Sequence, residues 1–315
     1  MIKKHGNSIF LFTICSVLFW LEITAGDIAI GDDVFYTFRL PRVMAAVIAG
    51  AGLSLSGLAM QTLFRNPLAG PFLTGATPGA SFAVAIFLMA FPTGFAAGWF
   101  QSIGIAIVGM TGSMAILLLQ LLVQRHHGNT FTLLLTGVLL GYLLSAGTEI
   151  LQGLAQADQV KSFVMWGLGS FDRVQQEEIP MLGAIVIISA VWLWFFRFKM
   201  DAYLPGDTYA TSAGIDVPGF RVTIVILSGL TAGAITGFCG PIGFVGMIAP
   251  HFARGLMKSS NHGLLWLPTL LFGISLCLLA DLVAHHALSN MILPTNAVCA
   301  VIGAPAVLWI MLRKQ

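Results

Sequence analysis

Charge is what this chain lacks most. Only 9% of its 315 residues are Asp, Glu, Lys or Arg, against about 25% in soluble domains. So few polar groups cannot cover the surface of a soluble domain, and lipid removes that requirement. Long polar stretches are missing too, so residues 1–315 read as one membrane domain with no sizeable soluble part. Cysteine is scarce: Cys15, Cys239, Cys277 and Cys299 lie in apolar runs and form no CxxC pair, which reads as small buried hydrophobes. The sequence contains no G-x-x-x-x-G-K-[ST], the loop that cradles nucleotide phosphates, so this polypeptide does not run an ATP cycle by itself. No cofactor or bound metal is expected. The net charge of +2, spread along loop ends, points to no nucleic-acid partner.

What the chain has instead is apolar runs, and 57% of its residues are hydrophobic. Crossing the hydrocarbon core takes about 20 apolar residues as a helix. Spans read at 8–24, 43–64, 72–91, 103–123, 131–155, 179–198, 220–238, 242–256, 264–288 and 298–312, so the expected fold is all-α with about ten membrane helices. The runs are continuous rather than alternating, which argues against a strand barrel. Lys3 and Lys4 before the run Ser8–Thr24 fit a cleaved signal peptide or a retained first helix. The want of a small-x-small cleavage site favours retention.

Lys and Arg set the orientation. An even number of spans puts both termini on one side, with Lys3, Lys4, Arg65, Arg125, Arg197, Lys199, Arg221, Arg254, Lys258, Arg313 and Lys314. That side is expected to be cytosolic. The other side carries only Arg39, Arg42, Lys161 and Arg173, among the acids Asp27, Asp32, Asp33, Asp158, Asp172, Glu177 and Glu178.

Small residues echo along the chain. Ala49-Gly50-Ala51 with Gly57 and Pro67 returns at the same spacing as Ala232-Gly233-Ala234 with Gly240 and Pro250, in oppositely directed spans, the pattern of an inverted repeat. Gly229, Gly233 and Gly237 make one smooth helix face suited to close packing. Two stretches, 65–71 and 240–243, break their helices with Gly and Pro. Irregular backbone at membrane depth is tolerated only against protein or a water-filled cavity, so these breaks point to a pathway. The longest cytosolic loop, 199–219, reads as two short helical pieces, 201–204 and 207–213, split by Pro205-Gly206, and suits docking of another protein.

Arg39-Leu40-Pro41-Arg42, followed by the run from Gly57 through Gln61, Arg65-Asn66-Pro67 and Ala69, resembles the FecCD-type permeases. So do Leu133–Val138 with Gly141, Trp166–Phe171, Gly240–Gly246 with Pro250-His251, Leu279-Ala280-Asp281 and Gly303-Ala304-Pro305, in family order. Such proteins are the membrane subunits of importers for ferric siderophores, haem and vitamin B12. The resemblance implies a type II importer permease fold in a bacterial inner membrane. It implies four partners besides lipid: a second copy of the chain, two ATP-binding subunits and an extracytoplasmic substrate-binding protein. It favours an iron complex, ferric siderophore or haem, over a cobalamin.

The resemblance also places residues. Arg39 and Arg42 match arginines that receive acids of the binding protein, and Arg suits a carboxylate because its planar fork binds it bidentately. His285 stands where the family often has Arg. Asp201, Leu204, Asp207, Ala210 and Gly214 fall in the ATPase-coupling loop. Thr130 and Thr132 fall near the family gate, and Glu149, ionisable within its span, should face a cavity or partner. Departures from the pattern are His285, Ile292 before Leu293-Pro294, and Asn296 near a usual Gly. Asp281 and His285, four apart, share a helix face and can pair. His286 is turned about 100° away, so the two histidines are not a ready chelating pair.

Two other classes compete. A secondary transporter with its own ion coupling would rest on Glu149 and Asp281. An intramembrane serine protease would rest on Gly79-Ala80-Ser81, but no histidine is placed by a motif to act as its base.

Overall fold

The computed structural model describes residues 2–24, 33, 35–71, 74–90, 99–127, 130–287 and 291–313. Among these residues all regular secondary structure is helical. The helices are α1 (Ile2–Thr24), α2 (Leu40–Phe64), α3 (Ala76–Ala90), α4 (Trp99–His127), α5 (Thr130–Leu154) and α6 (Ala157–Gly167). They continue with α7 (Ile179–Tyr203), α8 (Asp207–Ser212), α9 (Val217–Cys239), α10 (Val245–Met257), α11 (His262–His286) and α12 (Thr295–Arg313). A wide turn, Phe35–Arg39, leads directly into α2, and a single 3-10 turn covers Phe171–Arg173.

Ten of these helices correspond to the ten spans read from the sequence. Seven are long and apolar enough to cross a membrane, while Ala76–Ala90 and Thr295–Leu308 are shorter apolar helices. The 13-residue α10 is the shortest of the ten, and Pro250 lies inside it. The remaining two, α6 and α8, are short connectors. α6 went unread in the sequence because it is amphipathic and only 11 residues long.

Local chemistry sets the boundaries. Pro180 and Pro218 open α7 and α9, where a missing N–H costs nothing. The Asn261 side chain caps α11 by accepting from the Leu264 N–H at 3.1 Å. Arg65 ends α2 in the left-handed region, φ 47°, with its own N–H and that of Asn66 turned back onto Thr62 and Gln61 carbonyls. The piece 201–204, expected as a separate helix, is instead the last turn of α7. Nothing breaks the helix before Pro205-Gly206.

α2 is the central post, packed on α7, α9, α10 and α11. Its contacts are backbone-close. A Cβ added to Gly57 would lie 1.8 Å from the Gly246 carbonyl oxygen, and one added to Gly50 would lie 2.5 Å from that of Gly273. Without a hydrophobic drive between helices in lipid, this approach supplies the packing energy. The small faces read from the sequence therefore do pack helices. The echoed segments differ in backbone, however: α2 runs unbroken through Gly57, whereas α9 stops at Gly240 with φ 76°.

Candidate functional site

Three features stand apart from plain bundle packing: an ionic cluster at each end of α2, the broken segment after α9, and the free face of α5. Arg42 and Arg65 are 23 residues apart on one helix run, about 34 Å at 1.5 Å per residue, close to the thickness of a hydrocarbon core.

At the Arg42 end, four elements converge. The Arg42 guanidinium lies 2.7 Å from the Glu22 carboxylate of α1, 3.1 Å from Asp281 of α11 and 3.7 Å from Asp172 of the 3-10 turn. His285 sets Nε2 3.0 Å from Asp172 and Nδ1 2.9 Å from the Asp281 carbonyl oxygen. Arg39 donates to the Ile23 carbonyl at 3.0 Å. Glu22 and Asp281 are fully buried, and Arg39 is 6% exposed. Glu22, Asp281 and His285 bring ligand-type atoms within 4.8 Å of one another, but the cation among them is the Arg42 guanidinium.

Arg39, Arg42 and His285, expected to receive acids of the binding protein, here have partners within the chain: Arg39 the Ile23 carbonyl, Arg42 the Glu22 and Asp281 carboxylates, and His285 the Asp172 carboxylate. Buried carboxylates hold the two side chains of the cluster inward, since an uncompensated buried acid is costly. The Asp281–His285 pairing does form, yet the nearer ionic partner of Asp281 is Arg42. Sequence reading missed Glu22 as a member. Its one signal was an acid near the end of an otherwise apolar first span.

At the Arg65 end, the short helix α8 is tied to two long ones. Asp207 accepts from Arg65 of α2 and from Arg221 of α9. Arg65 also lies over the Tyr203 ring, 4.7 Å from its centroid, and Arg221 Nε donates to the Tyr203 hydroxyl at 3.2 Å. Asp201 accepts from the His262 backbone N–H at 2.8 Å and meets its Nδ1 at 2.5 Å, while His262 Nε2 lies 2.7 Å from the Thr62 hydroxyl. Arg254 of α10 donates to Gln61, whose amide donates onward to the Met247 carbonyl at 2.9 Å.

The expected coupling residues therefore split by role. Asp201 and Asp207 face inward and hold the segment to the bundle. Ala210 lies on the buried face of α8, completely withdrawn from solvent, where it packs the coupling segment onto the bundle. Leu204 is half-buried; Gly214 is exposed in a left-handed turn at φ 80°. The exposed tip belongs to Tyr209, which the sequence reading passed over.

Between the two clusters lies the broken segment. Gly240 and Phe244 both have positive φ, 76° and 66°. The loop's polar groups are met from outside it: the Ser170 N–H donates to Cys239 O at 2.8 Å, the Trp166 indole N–H to Gly237 O at 3.2 Å, and the Gly243 N–H to Asn296 Oδ1 at 3.0 Å. A cavity of about 90 Å³ lined by Leu53, Pro71, Thr77, Ile242 and Phe244 joins it to the break after α2. Irregular backbone here is thus satisfied by protein, as membrane depth requires.

α5 packs through Gly137, Gly141 and Gly147 onto the α3 region and leaves its opposite face free. That face exposes Tyr142, Ser145, Ala146, Glu149 and Gly153 alongside its leucines. The exposed face of α7 is instead large and apolar: Ile187, Ile188, Val191, Trp192, Phe195 and Phe198. Mean hydropathy over these spans is 1.2 and 2.2 respectively. Thr130 and Thr132 lie on the first turn of α5, with side chains outside the described ones.

Comparison with known proteins agrees with this architecture. Residues 9–313 match the FecCD transport family. The chain is 33% identical over 304 residues to the vitamin B12 import system permease protein of Citrobacter koseri, covering 94% of this chain and 90% of that one. It is 32% identical to its counterpart from Salmonella newport, covering 96% and 91%. A solved structure described as an inward-facing metal-chelate type ABC transporter superposes with a TM-score of 0.87 at 27% identity, covering 99% of this chain and all of that one. In keeping with its ordered motifs, its ionic cluster at each end of α2 and its protein-satisfied break, the chain is a permease of the FecCD transport family.

Proposed function

We propose that this chain is the pathway-forming subunit of an ATP-driven importer, that two copies enclose the path, and that its cargo is an iron complex, a ferric siderophore or haem. A corrinoid is the second reading, favoured by the B12 permeases among its relatives. The observation that carries the proposal is the tie from α8 to α2 and α9 through Asp207. A six-residue helix that projects Tyr209 while gripping two long helices suits a lever pushed by another protein.

The rest of the assignment follows from charge and polarity. Arg65, Arg221 and Arg254 gather at one end, which the positive-inside rule makes cytosolic, with both chain termini on that side. ATPase subunits then dock on α8. The substrate-binding protein docks over the end holding Asp172, with Arg39, Arg42 and His285 supporting that surface from beneath. The free face of α5, less apolar than that of α7, is set against its copy, and Thr130, Thr132 and Glu149 lie along the path.

Uptake into proteoliposomes holding this chain with its ATPase and binding protein tests the cargo. Iron delivered as ferric siderophore or haem should accumulate and resist competition by cobalamin. Cobalamin accumulation with no iron uptake would replace the first reading with the second.

A further inference from the structure

Glu149 is an acid the fold leaves unused. It lies five residues before the end of α5, about 7.5 Å along the axis. It is exposed, and it makes no hydrogen bond or ion pair among the described residues. A negative charge near a helix C-terminus opposes the macrodipole, so helix stability does not account for it. Facing lipid is costly for an ionisable group, and the exposed residues one turn above and below it, Ser145, Ala146 and Gly153, are small or polar, a stripe flanked by the exposed Ile150 and Leu154, whereas the exposed face of α7 is large and apolar. The end of α5 that carries it leads through α6 to Asp172, so Glu149 stands at the mouth on the side proposed for the binding protein.

We infer that Glu149 and its copy form an anionic collar at the mouth of the path, selecting metal chelates that carry a cationic group over anionic ones. The inference rests on the two-copy reading above and sharpens its cargo. A ferric tris-hydroxamate with a free ammonium group fits. A tris-catecholate, with net negative charge, and haem with its two propionates do not. No covalent step is involved; the collar acts on encounter and dwell, as charges lining a cleft do.

The test needs no knowledge of the natural cargo. A thiol is placed two turns inward by Tyr142→Cys in a Cys15→Ala background, since Cys239, Cys277 and Cys299 are buried. The complex with its ATPase sits in nanodiscs, and cationic and anionic methanethiosulfonate reagents are compared. The cationic reagent should react faster, and Glu149→Gln should lower the cationic-to-anionic rate ratio about tenfold at low salt, with less effect at high salt. Glu149→Asp should keep the ratio. An ammonium-bearing ferric tris-hydroxamate should protect the thiol better than its N-acetylated neutral form, and Glu149→Gln should erase that difference. An unchanged ratio, an unreactive thiol or equal protection by the two chelates overturns the collar. A separate disulfide trial with Gly153→Cys reads the two-copy arrangement. No cross-link between copies would sink that reading, whereas a cross-link with no charge preference sinks only the collar.

Discussion

The Arg42 guanidinium lies 3.1 Å from the Asp281 carboxylate, and both side chains are withdrawn from solvent. One cation there is shared by two buried acids, Glu22 and Asp281, drawn from helices at opposite ends of the sequence. Removing it takes away the Glu22 ion pair and leaves Asp281 with only the more distant His285, at 3.5 Å. Arg42→Ala should cost about 3–5 kcal/mol, the usual penalty for breaking a buried pair from one side. Replacing all three by apolar residues, Arg42→Met with Glu22→Leu and Asp281→Leu, should restore most of that stability. Unfolding in mixed micelles measures both. Equal stability of Arg42→Ala and wild type would show that the guanidinium is not needed there.

Asp172 supplies the pH dependence of the same end. Burial raises its carboxyl, but the His285 hydrogen bond and charge, Ser170 and Arg42 outweigh burial and hold it below its ordinary value of 3.8. A depressed folded-state value contributes stability that is present above the unfolded value and lost as pH falls through the folded one. The tether between the 3-10 turn and α11 should therefore hold at neutral pH and release on acidification below about pH 4. Asp172→Asn should flatten that acid limb in a pH series of thermal midpoints. An unaltered limb would remove Asp172 from the account.

The broken segment depends on an outside acceptor. The Gly243 N–H reaches Asn296 Oδ1, and an unsatisfied buried donor costs about 1–3 kcal/mol. Asn296→Leu should lose that amount and slow transport, while Asn296→Asp, which keeps an acceptor, should do less harm. An inert Asn296→Leu would contradict the role.

On α8, contact and support should separate. Tyr209→Ala removes an exposed aromatic of the kind that anchors interfaces, worth about 2 kcal/mol or more at a hot spot. It should weaken ATPase binding at least tenfold with little change in the chain's own melting. Ala210→Glu buries a charge under the helix and should lower the chain's stability first. Pull-down of the ATPase subunit alongside melting of the isolated chain distinguishes them. The opposite pattern would reverse the assignment.

Much of this was legible in the sequence because it depends on local pattern. Apolar run length located the ten helices that match the ten expected spans, seven of them long enough to cross a membrane, and Pro205-Gly206 marked the break before α8. The Gly and Pro interruptions pointed to the irregular backbone after α9. What escaped depends on which distant segments meet. Arg42 looked exposed because its neighbours in sequence are a loop and a helix start; only folding brings Glu22 and Asp281 around it. Ala210 could be placed in the coupling loop from the sequence, but the face of α8 it occupies could not. Glu149 was visible as an anomaly from the outset, since charge inside an apolar span is conspicuous whatever surrounds it.

Simultaneous measurement of uptake and ATP hydrolysis in proteoliposomes tests the central claim most directly. The vesicles hold this chain, its ATPase subunit and its binding protein, and are compared with vesicles lacking the ATPase and with Asp207→Asn. The account predicts no uptake without the ATPase whatever ion gradient is imposed. It also predicts that Asp207→Asn leaves hydrolysis running while uptake per ATP falls at least several-fold, because the tie from α8 to α2 and α9 is cut. Uptake driven by an ion gradient with no ATPase present would contradict it.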